Sequence, residues 1–262
     1  MLVTRIIQLA VLLAWVGAAA PAFAQDDAVG IVADPCAGAK TPEQLPAGQW
    51  GAYMLAHDFG QLCQYRAQNA ELIKAGHKTR VVFMGDSITE FWGKQDPGFF
   101  SNGKLDRGIS GQTTAQMLLR FRQDVIELQP QAVHIMAATN DVAGNTGPAT
   151  LAQVEGNIAS MAELAKAHGI RVILASVPPA GKFPWRPQLQ PVPVIRALNR
   201  WIEDYAARNG FTYVDYGAAM ATPEGAMKPG LAGDGVHPTL KGYQLMEPLA
   251  DAAIQKALGP AP

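Results

Sequence analysis

The 262-residue sequence holds only two cysteines, Cys36 and Cys63, and its five histidines are scattered along the chain. No His/Cys group has the spacing of metal ligands, so the reading calls for neither metal nor cofactor. Charge is sparse and balanced, with 21 Lys+Arg against 22 Asp+Glu. The basic stripe that a nucleic-acid partner demands is missing. Beyond residue 24 no apolar run approaches the ~20 residues a membrane-spanning helix needs. Two nucleotide and hydrolase signatures are absent as well. "CAGAKT" lacks the GK pair of a phosphate-binding loop. Neither Ser87 nor Ser110 sits in G-x-S-x-G, because position 89 is Thr and position 112 is Gln, which excludes the strand–turn–helix nucleophile elbow of the α/β-hydrolases.

What is present begins with a leader. Arg5 precedes an apolar stretch from Ile6 to Ala20, and "APAFA" ends at Ala24 with small residues at Ala22 and Ala24. A signal peptidase reads that pattern, so residues 1–24 are expected to be a signal peptide, and the remaining chain a soluble exported protein, periplasmic or secreted. In an oxidising compartment Cys36 and Cys63 are expected to pair. Closing a loop of that length contributes ~3–4 kcal/mol in the chain-entropy model. The expected organisation is a signal peptide over 1–24, an N-terminal extension and helix packed on the core over 25–78, and one catalytic domain over 79–262.

After a helical stretch over 50–75, broken near Gly60, a rhythm sets in. Short apolar runs lie at 80–84, 132–138, 171–177 and 211–215, with a weaker one at 104–109. Amphipathic stretches fill 114–128, 151–168, 194–209 and 240–258. Met117, Leu118, Phe121, Val125 and Ile126 recur at helical spacing. Buried strands alternating with helices point to a parallel sheet covered on both faces. Between 177 and 193 stand six prolines around Trp185 and Arg186, which reads as a long, stiff loop after the fourth strand.

In such a sheet, ligands bind beyond the carboxyl ends of the strands. The first run ends in Gly85-Asp86-Ser87, the second in Gly108-Ile109-Ser110-Gly111-Gln112-Thr113, the third in Ala138-Thr139-Asn140-Asp141, and past the fifth comes "GDGVHP" with Asp234 and His237. A serine hydroxyl needs a base; His237 is the candidate, with Asp234 to orient it. The N–H groups of Ser87 and Gly111 and the amide of Asn140 are candidate oxyanion donors. Each piece also has a plainer role. Ser87 is a possible helix N-cap, Asn140 and Asp141 possible caps of the next helix, and 234–237 a possible surface turn. His134, inside an apolar run, reads as a satisfied core residue.

Four blocks in this order, "GDSITEF" (85–91), "GISGQTT" (108–114), "ATND" (138–141) and "DGVHP" (234–238), resemble those of the SGNH hydrolases, the GDSL-type esterases and lipases. The resemblance implies a flavodoxin-like α/β/α sandwich, a three-layer fold with a parallel sheet of about five strands in the order 2-1-3-4-5. It also implies Ser87 as nucleophile, Asp234 and His237 as its triad partners, and Ser87, Gly111 and Asn140 as the oxyanion hole. Asp86 reads as structural, bonding loop backbone. One departure is visible: the third block usually opens with Gly, and here Ala138 stands there. If φ is positive at that position, alanine is strained; if it is extended, the methyl only trims the pocket. The reaction implied is hydrolysis of short-chain, acetyl-like esters, with carbohydrate as the expected alcohol. Trp92, together with Phe91, Phe99 and Phe100, is a candidate lining of the acyl site. Trp185 and Arg186 are candidate sugar contacts. The alternatives are a lysophospholipase or thioesterase of the same family, and a non-catalytic carbohydrate-binding module on the same fold.

Overall fold

The computed structural model describes residues 32 and 34–259; the leader expected over 1–24 lies outside the described residues. The described residues divide into two compact units, with the boundary between Gln44 and Leu45. In the smaller one the described residues include a single 3-10 turn, Pro42–Gln44. Neither Cys36 nor Cys63 is a free thiol: both are disulfide-bonded.

The larger unit opens with two helices, α1 (Trp50–His57) and α2 (Arg66–Lys74). Five strands follow: β1 (Val81–Gly85), β2 (Lys104–Gly108), β3 (Ala132–Met136), β4 (Arg171–Ala175) and β5 (Thr212–Val214). They make one sheet in the order β2-β1-β3-β4-β5, and every pairing is parallel. This is the expected 2-1-3-4-5 sandwich. The strands separate as they do because β1 and β3 are apolar at every position but His134 and are buried at every position. Their side chains alternate between two cores. Val82, Met84, Val133 and Ile135 pack with Met117, Phe121 and Ile158 on one face. Val81, Phe83, Ala132 and Met136 pack with Trp92, Tyr243 and Met246 on the other.

The covering helices are α3 (Ser87–Gln95), α4 (Thr114–Phe121), α6 (Leu151–Ala167), α7 (Pro191–Asn209) and α9 (Leu240–Leu258), with two short ones, α5 (Thr139–Val142) and α8 (Tyr216–Met220). Two boundaries depart from the sequence reading. The amphipathic stretch expected to run unbroken from 114 to 128 changes to a π-helical turn over Arg122–Ile126. And α7 starts at Pro191, three residues before the expected 194, with proline in its first turn. A proline there loses no hydrogen bond, and its fixed φ suits the helix, so the last two prolines of the 177–193 stretch belong to the helix.

The carboxyl ends of β1 and β2 are drawn together by a buried polar network. Arg120, fully buried on α4, donates from Nη2 to the carbonyls of Gly85 and Arg107, at 2.9 Å each. It also binds the side chain of Gln112 and pairs with Asp124 at 3.0 Å. Asp124 sits in the π-helical turn and accepts from Asn69 Nδ2 at 2.7 Å; Asn69 Oδ1 in turn accepts from Arg107 at 3.0 and 2.8 Å. Above this network α3 lies very close to the sheet. A Cβ on Gly85 would fall 2.0 Å from Thr89 Oγ1, and one on Gly108 would fall 2.1 Å from Glu90 N. Only glycine admits that approach.

Ala138 resolves the question its identity raises. It has φ 91° and ψ −7°, so the left-handed alternative holds and the alanine is strained at the turn from β3 into α5. Replacing it by glycine, Ala138→Gly, should raise the unfolding free energy by ~1 kcal/mol, read as a higher midpoint in urea. Removing the Arg120 fork, Arg120→Met, leaves Asp124 a buried unpaired charge and should cost about 3–5 kcal/mol in the same assay.

A pH dependence follows from Asp106 on β2. Burial, the largest influence, pushes its carboxyl up to about 7 from 3.8, against the bond it accepts from Gly108 N–H. The folded state therefore holds this proton where the unfolded chain has lost it. Its contribution to stability is full below the unfolded value near 4 and is lost as pH rises towards and through about 7. Asp106→Asn keeps an acceptor for Gly108 without the charge. Relative to the parent it should gain roughly 2 kcal/mol of stability on going from pH 4 to pH 8, measured by urea unfolding at both.

Candidate active site

Three separate stretches of chain meet above the carboxyl end of the sheet. Ser87 is not the cap of α3 but its first residue. The cap is Asp86, whose Oδ1 accepts from Ile88 N–H at 2.9 Å. Asp86 is thus structural, but it bonds the first turn of α3 rather than loop backbone, and its capping leaves the Ser87 hydroxyl free to face the cleft. Burial pushes the Asp86 carboxyl up to about 7, offset in part by the Ile88 N–H and by His237.

His237 arrives from the loop before α9. Its Nε2 lies 2.9 Å from Ser87 Oγ, across 150 residues of sequence. Its Nδ1 lies 2.7 Å from Asp234 Oδ2. The turn that makes the second contact is local. Asp234 Oδ1 accepts from Val236 N–H at 2.9 Å and from His237 N–H at 2.7 Å, so the carboxylate is fixed by backbone before it meets the ring. The plainer surface-turn reading and the pairing with His237 are one structure. Partial burial raises the Asp234 carboxyl, but the His237 N–H, the His237 ring and the Val236 N–H outweigh it and hold it below its ordinary value. With Nδ1–H donated to that carboxylate, Nε2 is left to accept from Ser87.

The third stretch carries Asn140 on α5. It caps nothing. Its Nδ2 donates to Gln112 O at 3.0 Å and, at a longer 3.3 Å, to Asp86 Oδ2. Asp141 holds the N-terminus of α4, accepting from Thr114 N and Oγ1. Gly111 lies on the turn after β2; its neighbour Ser110 is held by Glu90 Oε2, through N–H at 2.7 Å and through the hydroxyl.

Ser87, Ser110, Gly111, Asn140 and His237 line an open cleft of about 320 Å³. Phe91 and Trp185 stand on either side of His237, with ring centroids 5.3 and 6.1 Å from the imidazole. A larger hollow of about 490 Å³ lies by the opposite ends of β4 and β5, with Lys166, Arg171 and Lys256 in its wall. It contains no nucleophile and base in contact.

Of the residues expected to meet substrate, Trp185 and Phe91 line the cleft, and Trp92, Phe99, Phe100 and Arg186 do not. Trp92 is fully buried, stacked on Phe99 at 4.7 Å and Tyr243 at 5.5 Å; it is a core residue because the inner face of α3 turns it under the helix. Phe99 and Phe100 share that aromatic core through Phe83. Arg186 is exposed and absent from the cleft wall. Asn145, which the sequence reading did not single out, does line the cleft and donates to Asn140 Oδ1 at 2.6 Å. A polar residue four positions beyond an N-D pair is too ordinary a signal to find alone. His134 is buried as expected but only half satisfied. Nε2 contacts Tyr216 Oη at 2.9 Å, Nδ1 has no partner, and burial drives the ring down to about 3.

Among the described residues, no helix is long and apolar enough to cross a membrane. Residues 83–245 match the model of the GDSL-like Lipase/Acylhydrolase family. A crystal structure of a GDSL-like lipase from Bacteroides thetaiotaomicron is 50% identical, covering 77% of this chain and 100% of its own, with a TM-score of 0.73. An acetylxylan esterase from Geobacillus stearothermophilus shares the fold at 20% identity and a TM-score of 0.53, over 67% of this chain and 94% of its own. The uncharacterized lipoprotein YqeF of Bacillus subtilis is 38% identical over 78 residues, 29% of this chain and 32% of that protein, so the chain matches about a third of that relative's length. With a family model spanning more than half of its residues and a half-identical structure covered end to end, this chain belongs to the GDSL-like lipase/acylhydrolase family.

Proposed function

We propose that the protein is an exported serine esterase that removes short acyl groups, acetyl above all, from carbohydrate. The observation that carries the reading is the unbroken line from the Asp234 carboxylate through the imidazole to the Ser87 hydroxyl, with contacts of 2.7 and 2.9 Å.

The chemistry runs in two steps. Ser87 Oγ attacks the ester carbonyl as His237 Nε2 takes its proton, and Asp234 stabilises the imidazolium. The tetrahedral oxyanion sits against the N–H groups of Ser87 and Gly111 and the amide of Asn140. The second Asn140 hydrogen, now on Asp86 at 3.3 Å, is the one an oxyanion would win, because that bond is the longer of its two. His237 then gives its proton to the leaving alcohol. Water, activated by the same ring, releases the acid and restores Ser87.

Two features favour a small acyl group on a sugar. The cleft is open and about 320 Å³, a volume that suits a short acyl group. Trp185, 40% exposed beside His237, offers the flat apolar face on which a pyranose ring packs. The acetylxylan esterase of the same fold has a carbohydrate ester in its name. Export is supported by the disulfide at Cys36 and Cys63, by the leader-like residues 1–24, and by a lipoprotein among the relatives.

Turnover of p-nitrophenyl acetate, octanoate and palmitate tests the chain length. A steep fall beyond four carbons is expected, and an optimum at eight or more carbons would point instead to a lysophospholipase or thioesterase. Ser87→Ala and His237→Ala should each lower kcat by about 10⁴-fold or more while leaving the unfolding midpoint unchanged, whereas Asp234→Ala should keep part of the activity. A folded Ser87→Ala protein that hydrolyses acetate esters at the parent rate would overturn the assignment.

A further inference from the structure

Asn140 can serve an oxyanion only if its amide faces the right way. A side-chain amide has two similar ends, and a half-turn about its last bond would aim a carbonyl oxygen, not an N–H, at the developing charge. The chain of contacts behind Asn140 decides between them. Trp185 Nε1 lies 3.1 Å from Asn145 Oδ1, Asn145 Nδ2 lies 2.6 Å from Asn140 Oδ1, and Asn140 Nδ2 lies 3.0 Å from the carbonyl of Gln112. The two ends of this chain are groups with no choice. An indole N–H only donates, and a backbone carbonyl only accepts. Between them each amide has a single orientation that satisfies both neighbours.

We propose that Trp185 is a positioning residue, whose indole N–H, acting through Asn145, locks the Asn140 amide with its hydrogens towards the oxyanion. The donor is held steadily enough for the task. Phe183 is fully buried two residues before it, and Arg186 N–H closes the turn onto Phe183 O at 3.0 Å. Pro184 and Pro187 stiffen the flanks. At the loop's start, Asn199 grips both the N–H and the carbonyl of Val177, at 2.7 and 3.0 Å. Asn145 is tied to Asn140 twice, since its own N–H also donates to Asn140 O at 3.0 Å. The proline-rich stretch thus has work to do beyond any contact with substrate: it carries a fixed donor to the back of the oxyanion site.

The inference rests on the esterase reading above and can fail separately from it. The test compares kcat and KM for p-nitrophenyl acetate among Trp185→Phe, Asn145→Ala, Asn145→Asp, Asn140→Ala and the doubles that join Trp185→Phe to Asn140→Ala and to Asn145→Ala. Trp185→Phe keeps the ring and loses only the donor. It should lower kcat about 5-fold with KM within a factor of two, against about 100-fold for Asn140→Ala. In either double variant it should add nothing, because the partner it acts through is gone. Asn145→Asp should be slower than Asn145→Ala, since a carboxylate accepts from the indole but cannot donate to Asn140. If Trp185→Phe keeps its full effect in the Asn140→Ala background, or acts wholly on KM, the tryptophan does not act through Asn140 and the relay is wrong. If Asn140→Ala alone runs at the parent rate, the oxyanion assignment itself falls.

Discussion

The Arg120 guanidinium is the fixed point on which the catalytic end of this fold depends. It is fully buried and bridges carbonyls at the carboxyl ends of two neighbouring strands, at Gly85 and Arg107. Just beyond those carbonyls the chain delivers Asp86 and Ser87 on one side and the Gly111 turn on the other. The same side chain holds Gln112, whose carbonyl takes a hydrogen from Asn140. One cation therefore fixes the spacing between three segments that must agree to within a fraction of an ångström. Placing a charge there is costly, and the cost is offset only because Asp124, two carbonyls and an amide satisfy its fork.

The remaining half of the site is built differently. Asp234 and His237 are three residues apart and are shaped by the hydrogen bonds of a single turn. That turn is preformed by local geometry and brought to Ser87 by the packing of α9, where Tyr243 Oη donates to Ile88 O at 2.8 Å. The acid–base pair is thus a local product, and the oxyanion end a tertiary one.

This difference explains what could be read from the sequence. The parallel sheet, the four blocks and the Asp234–His237 pair were legible because each is carried by neighbouring residues or by burial on both faces of a strand, whereas the strand order came only with the family resemblance. α7 was placed late because prolines signal a break until one knows they sit in a first turn. Trp92 was misread because an aromatic next to a motif looks the same whether the helix turns it out or in. Arg120 and Asp124 were missed for a related reason: opposite charges four apart on an amphipathic stretch usually pair on the side that faces water, and here both are fully buried. His134 followed expectation in place but not in satisfaction, since one ring nitrogen stays without a partner.

The closeness of α3 to the sheet has an outcome for how this scaffold can change. Gly85 and Gly108 lie under the helix with less clearance than one methyl group requires. Neither lines the cleft, yet neither can drift, whereas loop positions outside the triad, the oxyanion site and the Trp185–Asn145 relay are under no such packing limit. Diversification of specificity is thereby channelled into the loops, above a floor whose height is set by two missing side chains.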